Sequence, residues 1–282
     1  MPYRSILVHV SSSHDLEQRV KVAARLASRD HATVIGLAVT GISRFLSGLP
    51  GEPGSALLSP TPPADGGHHD KLRQEMTMAL ERFEVLAQEY GVKTRQGLLV
   101  DDDAATALSN YGNAADLIIL GRKELTHVEK KEESDFVEYV TLNAETPVFT
   151  VNQKPFLWKH ALIAWNSSGA AARAARNAVP ILQDMGQVSV VIFGSGAAPG
   201  SALTASEHDL KECLSSLPKN VTVIHRPAVD NIGQALLTLV DEIDADLLVM
   251  GCVAHPRWRG ALLGGTTGVV LANAAISLFM SR

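Results

Sequence analysis

The chain has little aromatic material: Phe, Trp and Tyr make up 5% of its 282 residues, although 46% are apolar. Its cores must therefore be built from Ala, Val, Leu and Ile, the composition of parallel sheets covered by helices. Cysteine is almost missing. Cys213 and Cys252 offer neither a disulfide framework nor metal-ligand spacing, and each reads as a reduced thiol. No apolar run approaches the ~18 residues of a membrane span. At the N-terminus, Arg4 is followed by a short apolar strand, Ser5 to Val10, rather than a signal-like core. The charge balance, net -5 with pI ≈ 6.1, gives nothing to draw the chain to nucleic acid or an anionic membrane. Together these absences point to a soluble, cytoplasmic protein with neither nucleic acid nor membrane among its partners.

What is present is a repeat. The chain is long for one compact domain and comfortable for two. The segment Ala115-Asp116-Leu117-Ile118-Ile119-Leu120-Gly121 returns as Ala245-Asp246-Leu247-Leu248-Val249-Met250-Gly251, an offset of 130 that also pairs Asn143-Ala144 with Asn273-Ala274 and Phe149 with Phe279. Near the start, Leu7 to Ser13 aligns with Leu162 to Ser168 at an offset of 155. The N-terminal copy therefore carries about 25 additional residues internally. Most of them lie in Ser47–Gly67, whose Gly and Pro content reads as a mobile loop, with a surface insertion favoured over a lid or a partner-binding arm. The expected domains are 1–154, which includes the insertion 47–67, and 158–282, joined by a linker at Phe156–Lys159.

Within each copy, apolar β-branched runs alternate with helical periodicity. Strands are expected at Ser5–Val10, Thr33–Val39, Lys93–Leu99, Leu117–Leu120 and Pro147–Val151, then at His160–Trp165, Val188–Phe193, Val221–Arg226, Leu247–Met250 and Ile276–Met280. Helices fill the intervals. The second shows Leu72, Met76, Leu80 and Phe83 at three- and four-residue steps, one buried stripe. Strand–helix alternation requires right-handed crossovers and parallel strands. The fold class is α/β: two tandem doubly wound domains, each a five-stranded, mostly parallel sheet flanked by helices.

Ligands of such sheets bind beyond the carboxyl ends of the strands. In the C-terminal copy the first strand ends Ala164-Trp165-Asn166, and the fourth runs through Gly251 to Gly264-Gly265-Thr266-Thr267 and a helix. Adjacent glycines let backbone amides approach a phosphate, and the helix start adds free amides and its positive dipole end. Thr266 and Thr267 add hydroxyls; His255, Arg257 and Arg259 add donors or charge upstream.

The arrangement resembles the universal stress protein family over essentially the whole chain. That family has Gly, two residues, Gly, nine residues, then Gly-Ser or Gly-Thr after strand four, and an Asp ending strand one. Here Gly251 and Gly264 fall on the first and third glycines, Ala254 replaces the middle one, and Gly265 stands where Ser or Thr is usual. Leu263–Thr267 is similar to tandem members that read Leu-Gly-Gly-x-Thr, and Asn166 stands for the Asp. The resemblance implies a stress-response protein binding ATP, or AMP or ADP, in the C-terminal copy, with Mg²⁺ left open. It carries nucleotide contacts to Ala164, Trp165, Asn166, Met250, Gly251, Val253, Gly264, Gly265, Thr266 and Thr267. Trp165 is bulkier than the usual occupant and would either stack on adenine or fill the pocket. The alternative is a nucleotide-independent interaction module with both sites degenerate.

The N-terminal copy departs from the pattern. Glu124 stands at the position of Ala254, Ser134-Asp135 replaces Gly264-Gly265, Ser11 replaces the strand-one Asp, and Glu129–Asp135 reads as acidic where phosphate would lie. It is expected not to bind. Other motifs carry less. His68-His69-Asp70 reads as a helix start capped by Asp70 rather than a metal pair, Asp101-Asp102-Asp103 as a helix-opening acidic run, and Cys252 has no paired base. No catalytic residues are assigned; only His255 could activate water, so any nucleotide hydrolysis is weak. Thr146–Val151 and Ala275–Met280 are short apolar edge strands expected to pair within the chain, leaving other surfaces for a homodimer.

Overall fold

The computed structural model describes residues 2–41, 66–121, 130–152, 155–194, 205–217, 221–252, 254–257, 260–263 and 265–282. The N-terminal half runs β1 (Ser5–Val10), α1 (Leu16–Asp30), β2 (Thr33–Val39), α2 (Gly66–Glu89), β3 (Arg95–Val100), α3 (Ala104–Gly112), β4 (Leu117–Gly121), α4 (Lys130–Asn143) and β5 (Val148–Val151). The C-terminal half begins β6 (His160–Trp165), α5 (Gly169–Asp184), β7 (Gln187–Phe193), α6 (Ala205–Cys213), β8 (Val221–Arg226) and α7 (Ile232–Glu242). It closes with β9 (Leu247–Gly251), β10 (Ala254–Arg257), β11 (Gly260–Leu263), α8 (Gly265–Asn273) and β12 (Ser277–Ser281).

Ten strands form one sheet in the order β3-β2-β1-β4-β5-β12-β9-β6-β7-β8. Each half contributes five mutually parallel strands, and the halves meet through the antiparallel pair β5–β12. Strand order reverses between β1 and β4, and again between β6 and β9. Those reversals are where an open parallel sheet leaves a crevice.

The repeated Ala-Asp-Leu segment has a structural task. The Asp116 carboxylate accepts the backbone N–H groups of Arg4 and Ser5 at 2.8 and 2.9 Å. Its counterpart Asp246 accepts those of Leu157, Lys159 and His160 at 2.9, 3.1 and 3.0 Å. Each carboxylate thus satisfies amides entering the first strand of its half, groups that would otherwise be unpaired. The second clasp also ties down the linker, in which Phe156 is buried against Phe149, ring centroids 5.3 Å apart.

On one face of the sheet, α1 and α5 pack across the junction: the Tyr3 hydroxyl donates to the Asn177 carbonyl at 2.6 Å, and Arg29 pairs with Asp184. On the other, α4 packs against α8, and Val137 and Leu142 of α4 join the core of the C-terminal half. No described helix is long and apolar enough to cross a membrane.

Several boundaries differ from the sequence reading. Helix α2 begins at Gly66, inside the expected 47–67 loop, so Asp70 is its fifth residue and not its cap; the rest of that loop, 47–65, lies outside the described residues. First-turn amides need no intrahelical acceptor, so glycines there cost little. Helix α4 begins at Lys130, so most of the expected acidic loop is helical. Lys and Glu are good helix formers, and no glycine interrupts them. Asp103, by contrast, does cap α3, its side chain accepting the Thr106 N–H at 2.9 Å. The stretch after β9, read as loop, contains the hairpin β10–β11.

Candidate functional site

The carboxyl ends of β6 and β9 and the first turns of α7 and α8 enclose a cavity of ≈ 260 Å³. Its apolar wall comes from Val191 and Phe193 of β7 and from Ile232 and Leu236 of α7; Ala164 and Met250 also line it. Asn166, Gly251, Gly265, Thr266 and Thr267 make up the rest of the lining with Trp165. The structure therefore brings Ala164, Trp165, Asn166, Met250, Gly251, Gly265, Thr266 and Thr267 to one place. Val253 and Gly264 lie outside the described residues.

The two glycines have different reasons to be glycine. A Cβ on Gly251 would lie 2.5 Å from the backbone of Ala170 and Ala171, so the first turn of α5 passes directly over the end of β9. A Cβ on Gly265 would meet nothing within 4 Å. Gly265 is also the first residue of α8, the end at which a helix leaves its first amides without intrahelical partners and carries its positive dipole end. Such a helix start suits an anion.

Trp165 borders the cavity, yet it is only 3% exposed and belongs to the core cluster that includes Ala171, Ala174 and Ala175 of α5. Alternate residues of a strand face opposite sides. Ala164 packs with the α7–α8 side, so the small residue faces the cavity and the large one is committed to the other face.

Asn166 is held by its own backbone: Oδ1 accepts the Ser168 N–H at 3.2 Å, while Ser168 caps α5 by accepting the Ala171 N–H at 3.1 Å. What Asn166 offers a ligand is the pair of Nδ2 hydrogens, a donor suited to a base nitrogen or a sugar oxygen. Thr267 is turned inward, 5% exposed, and its hydroxyl hydrogen-bonds the Cys252 thiol. Burial pushes that thiol up to about 12, with the Thr267 hydrogen bond acting the other way. Cys252 is protonated at neutral pH, not a nucleophile.

Hairpin β10–β11 stands between β9 and α8, and β11 packs against α4 of the N-terminal half. His255 and Arg257 lie on β10, in register with Leu262 and Gly260; Arg259 lies outside the described residues. Among the described residues no group of three or more His, Cys, Asp or Glu is placed to hold a metal ion. Sequence reading missed the wall, because Val191, Phe193 and Leu236 follow ordinary core periodicity. Ile232, a large apolar residue 38% exposed beside the α7 cap Asn231, shows its exposure only in three dimensions.

Residues 158–282 match the model of the universal stress protein family. Universal stress protein MJ0531 of Methanocaldococcus jannaschii is 28% identical over 153 residues, 54% of this chain and 83% of that one. Among solved structures, a universal stress protein from Archaeoglobus fulgidus aligns with TM-score 0.70 at 15% identity, covering 99% of this chain and 96% of that chain. A putative universal stress protein from Pseudomonas aeruginosa aligns with TM-score 0.60 at 17% identity, covering 99% and 93%. Residues 158–282 thus match the universal stress protein family, and the whole chain shares the fold of these two solved structures.

Proposed function

We propose that the C-terminal domain, 158–282, binds one adenine nucleotide, ATP or its di- or monophosphate relatives, in a stress-response protein whose N-terminal domain, 1–154, does not. One observation carries the reading. An apolar wall and the start of α8 at Gly265, open to an added side chain, line a single cavity. A flat base suits Val191, Phe193, Ile232 and Leu236, and Asn166 can donate to base or ribose. Phosphates then lie outward over the first amides of α8. The volume, ≈ 260 Å³, falls just below the ~300–1,000 Å³ usual for ligand pockets and suits a base and sugar inside with the phosphates at the mouth.

The lining favours binding over turnover. Among the described residues it holds no carboxylate or imidazole, and burial pushes the neighbouring Cys252 thiol up to about 12. A general base would have to come from His255 on β10. Asn166 brings no charge and turns its oxygen toward Ser168, so any Mg²⁺ would arrive with the nucleotide rather than wait for it. Pairing of the two domains through β5 and β12 leaves β3 and β8 as sheet edges, and a homodimer would use surfaces other than the junction.

The test is mass spectrometry of small molecules released when the purified protein is denatured, with ATP titration of protein stripped of them. An adenine nucleotide in the first, or saturable ATP binding in the second, is expected. Absence of both would leave the nucleotide-independent interaction module.

A further inference from the structure

The N-terminal half has the matching reversal of strand order, and among the described residues two ring side chains meet there. Strand registers align the two halves: Ile6 pairs with Leu117 as Ala161 pairs with Leu247. His9 therefore stands where Ala164 lines the C-terminal cavity. Helices α4 and α8 end at Asn143 and Asn273, which places Phe136 at the position of Thr266. The rings of His9 and Phe136 are in contact, centroids 5.6 Å apart at 41°. The wall residues also have counterparts. Leu37 and Val39 stand for Val191 and Phe193, since His9 pairs with Leu37 as Ala164 pairs with Val191. Leu108 and Leu120 stand for Leu236 and Met250. All four are buried in one cluster, and Phe136 packs against it. Where the C-terminal lining has Ala164 and Thr266, this half carries two rings in contact against that cluster.

We infer that His9 and Phe136 form a plug that denies an adenine base to the N-terminal domain, and that these two positions decide which half of the chain binds. The inference rests on the nucleotide reading of the C-terminal cavity. His9 is 6% exposed, and burial, with the Arg19 guanidinium beside it, holds its imidazole well below its ordinary range. The plug is therefore uncharged at neutral pH and packs as a core group. The strand end is committed as well: Arg19 donates to the hydroxyls of Ser11 and Ser13 at 2.9 and 2.8 Å. These serines are the counterparts of Asn166 and Ser168. The phosphate end differs separately. Helix α4 starts five residues before the position matching Gly265, which at 1.5 Å per residue moves the helix start by ~7.5 Å. Emptying the plug should restore room for a base but no place for phosphates, so the correct probe is adenosine rather than ATP.

The experiment compares wild type with His9→Ala/Phe136→Thr and with Ala164→His/Thr266→Phe, which moves the plug to the other half. ATP and adenosine are titrated by calorimetry, and methyl NMR shifts at Leu37 and Leu120 report binding in the N-terminal half. The plug-out variant should gain adenosine-dependent shifts there, absent in wild type, and keep its ATP site. The plug-in variant should lose ATP binding at least tenfold. A folded plug-out variant whose N-terminal methyls ignore adenosine would overturn the proposal. Should that variant not fold, ATP binding retained by the folded plug-in variant would overturn it equally. Wild type that binds no ATP would instead refute the nucleotide reading, a separate result.

Discussion

Phe149 and Phe279 face each other across the β5–β12 pair, and they are the same residue of the repeat, 130 positions apart. Their neighbours obey the same rule. Met280 pairs with Val148 and Leu278 with Thr150, and exchanging each residue for its repeat partner reproduces the pairs. A pseudo-twofold axis therefore passes between the two phenylalanines, and one chain builds an arrangement with the symmetry of a dimer. Both rings are fully buried.

That position gives the first prediction. Phe149→Ala and Phe279→Ala should each cost about 3–5 kcal/mol, the range for a large buried side chain cut to Ala. Because either ring lies on the junction, chemical denaturation should show the two halves unfolding together in wild type. Independent unfolding, with each substitution moving only its own half, would contradict a shared core.

The two glycines of the site should respond oppositely to side chains. Gly265→Asp meets open space and puts a carboxylate at the first residue of α8, where the dipole favours it by ~0.3–1 kcal/mol. Thermal stability should hold or rise while ATP affinity falls at least tenfold. Binding unchanged in this variant would remove the helix start from the site.

Gly251→Ala has no such room. Its Cβ would lie 2.5 Å from the α5 backbone, and overpacking of this kind costs ~1–3 kcal/mol. Denaturation should show that loss even without nucleotide. A neutral result would mean that α5 is free to shift outward.

A pH dependence follows from His9. Its folded-state pKa is lowered by burial and then by Arg19, so below the unfolded value, ~6.5, the unfolded chain binds a proton that the folded chain refuses. Its contribution is present above pH ~6.5 and is lost as pH falls toward the depressed folded value. Stability measured from pH 8 to 5 should decline less steeply in His9→Leu than in wild type. Parallel slopes would mean that His9 takes up its proton without unfolding.

Much of this architecture was legible because the repeat is written in residues with structural duties. Asp116 and Asp246 recur because each clasps the amides entering a first strand, and the Leu117 and Leu247 runs recur because both are fully buried. The illegible parts depend on parity and on partners far away in sequence. Whether Ala164 or Trp165 faces the cavity turns on which side of the sheet carries α7 and α8, information that a six-residue strand does not contain. His9 and Phe136 look like an ordinary strand histidine and an ordinary helix aromatic until the fold places their rings together. The β10–β11 hairpin has four-residue strands, too short for alternation to stand out beside Gly and Pro. The acidic stretch before Asp135 stands out in the sequence by its charge, whereas its helix-forming residues decide its backbone.

The proposed nucleotide site occurs once per chain, in the C-terminal half. Native mass spectrometry of the intact protein titrated with ATP tests it most directly. The expected titration saturates at a single bound nucleotide in wild type and needs at least tenfold more ATP to reach the same occupancy in Gly265→Asp. Two nucleotides per chain, or one bound equally tightly in Gly265→Asp, would contradict it.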